Sequence, residues 1–209
     1  MTEPAEIIEE DIDDLQSELT EIHNTAIDII EDAARSGTLK RERIDWSRAT
    51  PLCRKYEIWF NSASVYVEDY LPRRTADFEA AYSEVETLIR FDSINYKKSD
   101  RYKGALNRHL HNQRNLLASI PRRVETEQRR MRRAVSDQIA TDEIYKAKQL
   151  WDDGQIRAAG VVTGIALERH LLTICETSES VTEYAHNDGV TSLAQTLYDA
   201  GEIDGTTRS

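Results

Sequence analysis

Trp151 to Cys175 reads WDDGQIRAAGVVTGIALERHLLTIC, and the class of fold turns on how this stretch is read. Ten uncharged residues in a row, Ala158 to Leu167, separate Arg157 from the triplet Glu168-Arg169-His170. The stretch has no Pro, and its apolar residues do not alternate with polar ones, which predicts a helix rather than a strand. A helix apolar on nearly every side belongs among other helices, so a central core helix is expected. The uncharged run is too short for a bilayer, which needs about 20 apolar residues. Gly160 and Gly164 lie one turn apart beside Ala159 and Ala166, and their missing side chains are expected to let a neighbouring helix come close.

Working outward, Asp153-Gly154 is a helix stop, which predicts two antiparallel helices, Pro121–Asp153 and Gln155–Glu176, joined at Gly154. A polar connector from Glu176 to Asp188 leads to a last helix, Val190 to Asp199, ended by Gly201. Upstream, Thr50 and Pro51 read as an N-cap and first helical residue of a helix closed by Pro72. Its Tyr56, Trp59, Phe60 and Tyr66 share one face, as core residues do. Thr75 is expected to cap a helix that turns Phe78, Ala81, Tyr82, Val85 and Leu88 inward. Phe91 to Asp100 reads as a loop, and Ser99 or Asp100 as the cap of a helix through Leu117.

The N-terminus carries a different pattern. Ile8, Ile12, Leu15, Leu19, Ile22, Ala26, Ile29 and Ala33 are spaced alternately four and three apart, which is a heptad seam. The remaining faces are acidic, with no Lys or Arg before Arg35. Such a helix repels itself and needs a partner surface, preferably a basic one. Arg122, Arg123, Arg129, Arg130, Arg132 and Arg133 form the one strongly basic helical surface, so charge pairing with it is expected. The same arginines are candidates for contact with an RNA backbone. No aromatic residues are interleaved for base stacking, and the net charge of −11 over 209 residues disfavours nucleic acid as a partner.

Gly and Pro are scarce and helix formers abundant, so the fold class is all-α, an antiparallel helical bundle with a long N-terminal heptad helix. The expected divisions are 1–36, an acidic helical arm; 37–98, a helical extension; and 99–209, the main helical core. Cys53 and Cys175 sit in apolar helical patterns without metal-ligand spacing and read as buried free thiols of a reducing compartment. The acidic N-terminus lacks a signal-peptide pattern, which points to the cytoplasm. His109 and His111 are two residues apart and face different sides of a helix, so no metal site is assigned. Nor is there a cofactor motif, a glycine-rich phosphate loop or a nucleophile elbow.

The opening stretch also carries a resemblance. Its Gly turn, Arg157-Ala158-Ala159-Gly160 and the closing Ala166-Leu167-Glu168-Arg169-His170-Leu171 resemble the core of HEPN-like helical proteins. A second anchor is similar to the segment preceding that core in a prokaryotic branch of the superfamily: Tyr56 to Ala63, Tyr70-Leu71-Pro72-Arg73-Arg74, then Asp77-Phe78 and Tyr82. The two anchors span Tyr56 to Leu197 in matching order. The resemblance implies a helical bundle, a dimer and, in ribonuclease members, an Arg-x4-His motif on the last core helix that cuts RNA without metal. Here Leu193 to Leu197 and Ala200 to Asp204 look like the lead-in to that helix, and the sequence stops at Arg208-Ser209. None of the five histidines has an Arg five residues before it, so the core reads as incomplete and without that catalytic pair.

These readings leave three functions. The first is a HEPN-like protein without nuclease chemistry, acting by dimerisation or by binding a protein partner. The second is a truncated or split HEPN ribonuclease, and the third a helical scaffold built around the heptad seam. The first is preferred, with no catalytic residue assigned. Arg157, Glu168 and Arg169, with the six clustered arginines, are the candidate binding residues, and Glu168 is expected to pair with Arg157 or another Arg.

Overall fold

The computed structural model is all-α and describes residues 4–35, 37–92, 94 and 97–204; Arg208 and Ser209 lie outside them. The helices are α1 (Pro4–Ala33), α2 (Trp46–Tyr70), α3 (Thr75–Ile89), α4 (Ser99–Ala118), α5 (Ile120–Asp152), α6 (Ile156–Thr177) and α7 (Val190–Asp199). Three two-residue strands, β1 (Ala34–Arg35), β2 (Thr38–Leu39) and β3 (Lys97–Lys98), pair antiparallel in that order. The chain divides into two compact units, Met1–Glu125 and Thr126–Ser209.

In the first unit the heptad seam is the organising feature. Ile12, Leu15, Leu19, Ile22, Ala26, Ile29 and Ala33 are all buried, packed with α2 and α4, while Ile8 is half-buried at the open end. Hence α1 is a core helix of this unit and not a separate arm, and 36/37 is not where the chain divides. The expected break at 98/99 fails for the same reason. Leu106, Leu110, Leu117, Ile120 and Val124 bury against the same cluster, which ties α4 and the start of α5 to the first unit.

Charge pairing of α1 also differs from expectation. Glu21 meets Lys55 at 2.6 Å, Asp32 meets Arg48 at 2.7 Å, and Glu31 meets Lys103 at 3.0 Å. Basic residues of α2 and α4, scattered at helical spacing along the rims of the seam, supply what the sequence reading sought in the arginine cluster. Water and salt screen pairs as exposed as these, so apolar burial dominates the docking.

Several polar groups that enter this core are matched to partners, while Gln113 Nε2 is buried without one among the described residues. The Trp59 indole N–H donates to the Leu15 carbonyl at 2.8 Å, and the Tyr56 hydroxyl donates to Gln113 Oε1 at 2.8 Å. Tyr66 donates to the Asp11 carboxylate at 2.7 Å. Phe60 stacks on Tyr82 with ring centroids 4.0 Å apart and on Phe78 at 5.3 Å, so the aromatic face of α2 closes on α3 as expected.

Two helix starts depart from the sequence reading. Asp45, not Thr50, caps α2, its carboxylate accepting from Ser47 N at 3.0 Å and from Ser47 Oγ at 2.6 Å. Those hydrogen bonds also hold the Asp45 carboxyl below its usual range. Pro51 therefore lies inside the helix, in its second turn, where its missing N–H leaves the Ser47 carbonyl without an i→i−4 donor. Thr75 is the first residue of α3 rather than its cap.

Leu19 is fully buried in the seam, so Leu19→Ala should destabilise the first unit by roughly 2–5 kcal/mol in urea denaturation, with little change in the native circular dichroism. The buried tyrosines predict an alkaline limit. The hydrogen bond to Asp11, then burial, pushes the Tyr66 phenol up to about 12, and burial raises Tyr56 and Tyr102 as well. A phenol whose folded pKa exceeds its unfolded value of about 10 favours the fold below that pH and loses the contribution as pH climbs through the folded value. The urea midpoint should be level near neutrality and fall above about pH 10, and Tyr66→Phe should reduce the fall.

Candidate functional site

The second unit is built on the Gly154 turn. Asp153 and Gly154 close α5 through backbone bonds to Gln149 and Trp151, and Gly154 takes the left-handed φ of +79° that only glycine adopts without strain. Two antiparallel helices joined there, as expected, are registered by cross-helix contacts. Arg133 Nε donates to Thr177 Oγ1 at 2.7 Å, Ser136 Oγ lies 3.1 Å from His170 Nδ1, and Arg169 meets Glu143 at 3.3 Å. Small and polar residues of α5 spaced three and four apart (Arg133, Ser136, Ala140, Glu143, Ala147) form the seam toward α6.

The central expectation for this stretch fails. Only Ala159, Ala166, Leu171, Cys175 and Thr177 of α6 are buried. Its C-terminal half packs on α7 through Leu171, Cys175, Leu193 and Leu197, where burial pushes the Cys175 thiol up. Its N-terminal half is open, with Val161 61%, Ile165 43% and Leu167 42% exposed. Among the described residues nothing comes within 4 Å of a Cβ placed at Gly160 or Gly164. The apolar run was read as core because composition alone does not distinguish a covered surface from one left open. The observed helix is also longer than the uncharged run, and by length and composition it is sufficient to cross a membrane.

Opposite the C-terminal half of α6, α5 exposes Met131, Val135 and Ile139 at intervals of four, and between the two helices runs a groove of about 710 Å³. Its floor is Val135, Ile139, Ala140, Ala166 and Leu172, and both signs of charge line it: Arg132 and Glu176 toward one end, Glu143 and Arg169 toward the other. Glu143 Oε2 is buried without a hydrogen-bond partner among the described residues. Sequence reasoning missed this groove. Its signal was present as the i, i+4, i+8 spacing of Met131, Val135 and Ile139, hidden among arginines.

Midway along the groove, His170 lies between Ser136, at 3.1 Å from Nδ1, and Asp137, at 3.4 Å from Nε2. The order hydroxyl, imidazole, carboxylate is that of a hydrolytic triad, but an acyl-transfer site also needs N–H donors for the oxyanion. Ser136 sits mid-helix, where the neighbouring backbone N–H groups are consumed by i→i−4 bonds. The contacts fix the ring of His170 and the register of the hairpin. Among the described residues no cluster of three or more His, Cys, Asp or Glu side chains converges as metal ligands would.

The predicted binding residues are dispersed. Arg129 meets Glu179 at 2.5 Å, and Arg133 also lies 3.5 Å from Glu202, so both clamp the segment after α6. Arg130 sits 3.4 Å from Glu127 on its own helix. Arg132 lines the groove, while Arg122 and Arg123 lie exposed at the start of α5, in the first unit. Arg157 is exposed at the start of α6. Eleven residues of helix, about 16 Å, part it from Glu168, so the expected pair does not form. Arg169, not Glu168, makes the charged contact to α5.

Comparison with protein-family models, curated proteins and solved structures finds no match to this chain.

Gly160 occupies a helix interior with room for a side chain, which reverses the expectation that a larger residue there is harmful. Gly160→Ala should stabilise the second unit by roughly 0.5–1 kcal/mol, read as a higher denaturation midpoint. A lowered midpoint would mean that another helix does approach this face.

Proposed function

We propose that this chain is a cytoplasmic HEPN-like helical protein that acts by docking protein surfaces rather than by cutting RNA. The observation that carries this reading is the open α5–α6 groove, with an apolar floor and large apolar side chains exposed beside it. Contiguous exposed apolar surface of this kind marks interaction sites in otherwise well-packed proteins. Antiparallel helices joined at Gly154 accord with the HEPN resemblance and count against an unrelated scaffold built on the heptad seam, since that seam is consumed inside the first unit. A polyanion is a poor occupant, because Glu143 and Glu176 stand in the groove and Arg129 and Arg133 already meet carboxylates.

The purified chain should leave single-stranded RNA intact, with or without added divalent metal. Reproducible cutting that follows the protein through purification and disappears in His170→Ala would overturn the reading in favour of a ribonuclease.

A further inference from the structure

We infer that the α5–α6 groove takes a cationic amphipathic helix of a partner protein, with basic side chains near both of its ends. This rests on the docking reading above and specifies its partner. The floor of Val135, Ile139, Ala140, Ala166 and Leu172 offers no polar side chain, and the backbone of α5 and α6 beneath it is consumed by i→i−4 bonds. An extended segment laid there would leave its own N–H and C=O groups without partners. A helix brings its backbone bonds with it and needs only an apolar stripe at i, i+4 and i+7 to match the floor. The chain's own amphipathic helix, α1, is acidic on its outer faces and already buried in the first unit, so the segment comes from another protein.

Charge decides what flanks that stripe, because the two carboxylates of the groove are under-served while its two guanidinium groups are engaged. Glu143 receives Arg169 on Oε1 at 3.3 Å, long for a charge-assisted bond, and its Oε2 has no hydrogen-bond partner among the described residues. Among the described residues Glu176 meets no Lys or Arg and pairs only with the exposed His186 imidazole, at 3.8 Å. Arg169 is committed to Glu143, and Arg132 has an interaction of its own. Arg133 touches Thr177 across the hairpin, so Glu176 lies near the level of Arg133, and Glu143 lies about ten residues, or about 15 Å, further along α5. On a partner helix that span is about three turns, and side chains at i and i+11 share a face there. Lysine or arginine at those two positions reaches past the stripe to each carboxylate, its aliphatic stem covering the apolar rim. The net charge of −11 draws such a segment in from a distance.

Fluorescence anisotropy on the full chain tests this with a synthetic helix of about 18 residues, carrying Leu at i, i+4 and i+7 and Lys near each end. A second probe replaces each Lys with Glu, and a third places Pro at its centre. The Lys probe should bind at least roughly tenfold tighter than the Glu probe, and the Pro probe should lose binding. Ile139→Asp, at a side chain 48% exposed, should abolish binding with helicity unchanged. Glu143→Gln combined with Glu176→Gln should bring the Lys and Glu probes close to parity. Equal binding of those probes by the wild type, a Lys preference that survives both Gln changes, or binding that survives Ile139→Asp would overturn the cationic helix as occupant. So would the absence of any binding, including a groove filled by a second copy and seen as a dimer in sedimentation velocity. Each of these results with RNA left intact leaves the docking function standing, whereas RNA cutting abolished by His170→Ala removes that reading itself.

Discussion

Burial of the α1 seam is the interaction on which the first unit depends. A helix with acid on nearly every outward position repels itself and has no basic last turn to offset its dipole. It persists because seven apolar residues leave water together, and because Trp59 reaches across to the Leu15 carbonyl. Once α1 is fixed, α2 and α4 have a common surface, and α3 closes on the aromatic side of α2. The cations that neutralise α1 sit at the edge of this contact, where salt screens them and where they select the register more than they add stability.

How much was legible in the sequence depends on the kind of signal. Alternating three- and four-residue spacings identified the buried face of α1 residue by residue, since helical geometry leaves one way to place such a set. The Gly154 turn was equally clear, because a helix stop and a positive φ are properties of one or two residues. The partner of α1 was not legible. Arg48, Lys55 and Lys103 are scattered over 56 positions, and only the fold gathers them. The dense arginine cluster drew attention by being contiguous, yet Arg129 and Arg133 serve the segment that follows α6.

The site shows the complementary failure. The apolar run of α6 was correctly read as helical and wrongly read as enclosed. Hydrophobicity records that a surface will be covered, not by which molecule. The groove-facing residues of α5 were overlooked because Met131, Val135 and Ile139 are separated by charges belonging to other faces of the same helix. Projected onto a helix, the charges part to either side and an apolar stripe remains.

Phe91 gives the α3–α4 connection an unusual character. It follows the end of α3 with a φ of +53°, a left-handed conformation that costs an ordinary L-residue roughly 1–2 kcal/mol, yet its ring is fully buried and stacks on Tyr102 with centroids 6.2 Å apart. Glycine would relieve the backbone and forfeit the ring. The turn is thus dictated by what the aromatic touches on α4, and the local chain on its own prefers another path. Local preference and tertiary contact conflict at this one residue, and the contact prevails, so the turn keeps its path only while Phe91 stays packed on Tyr102.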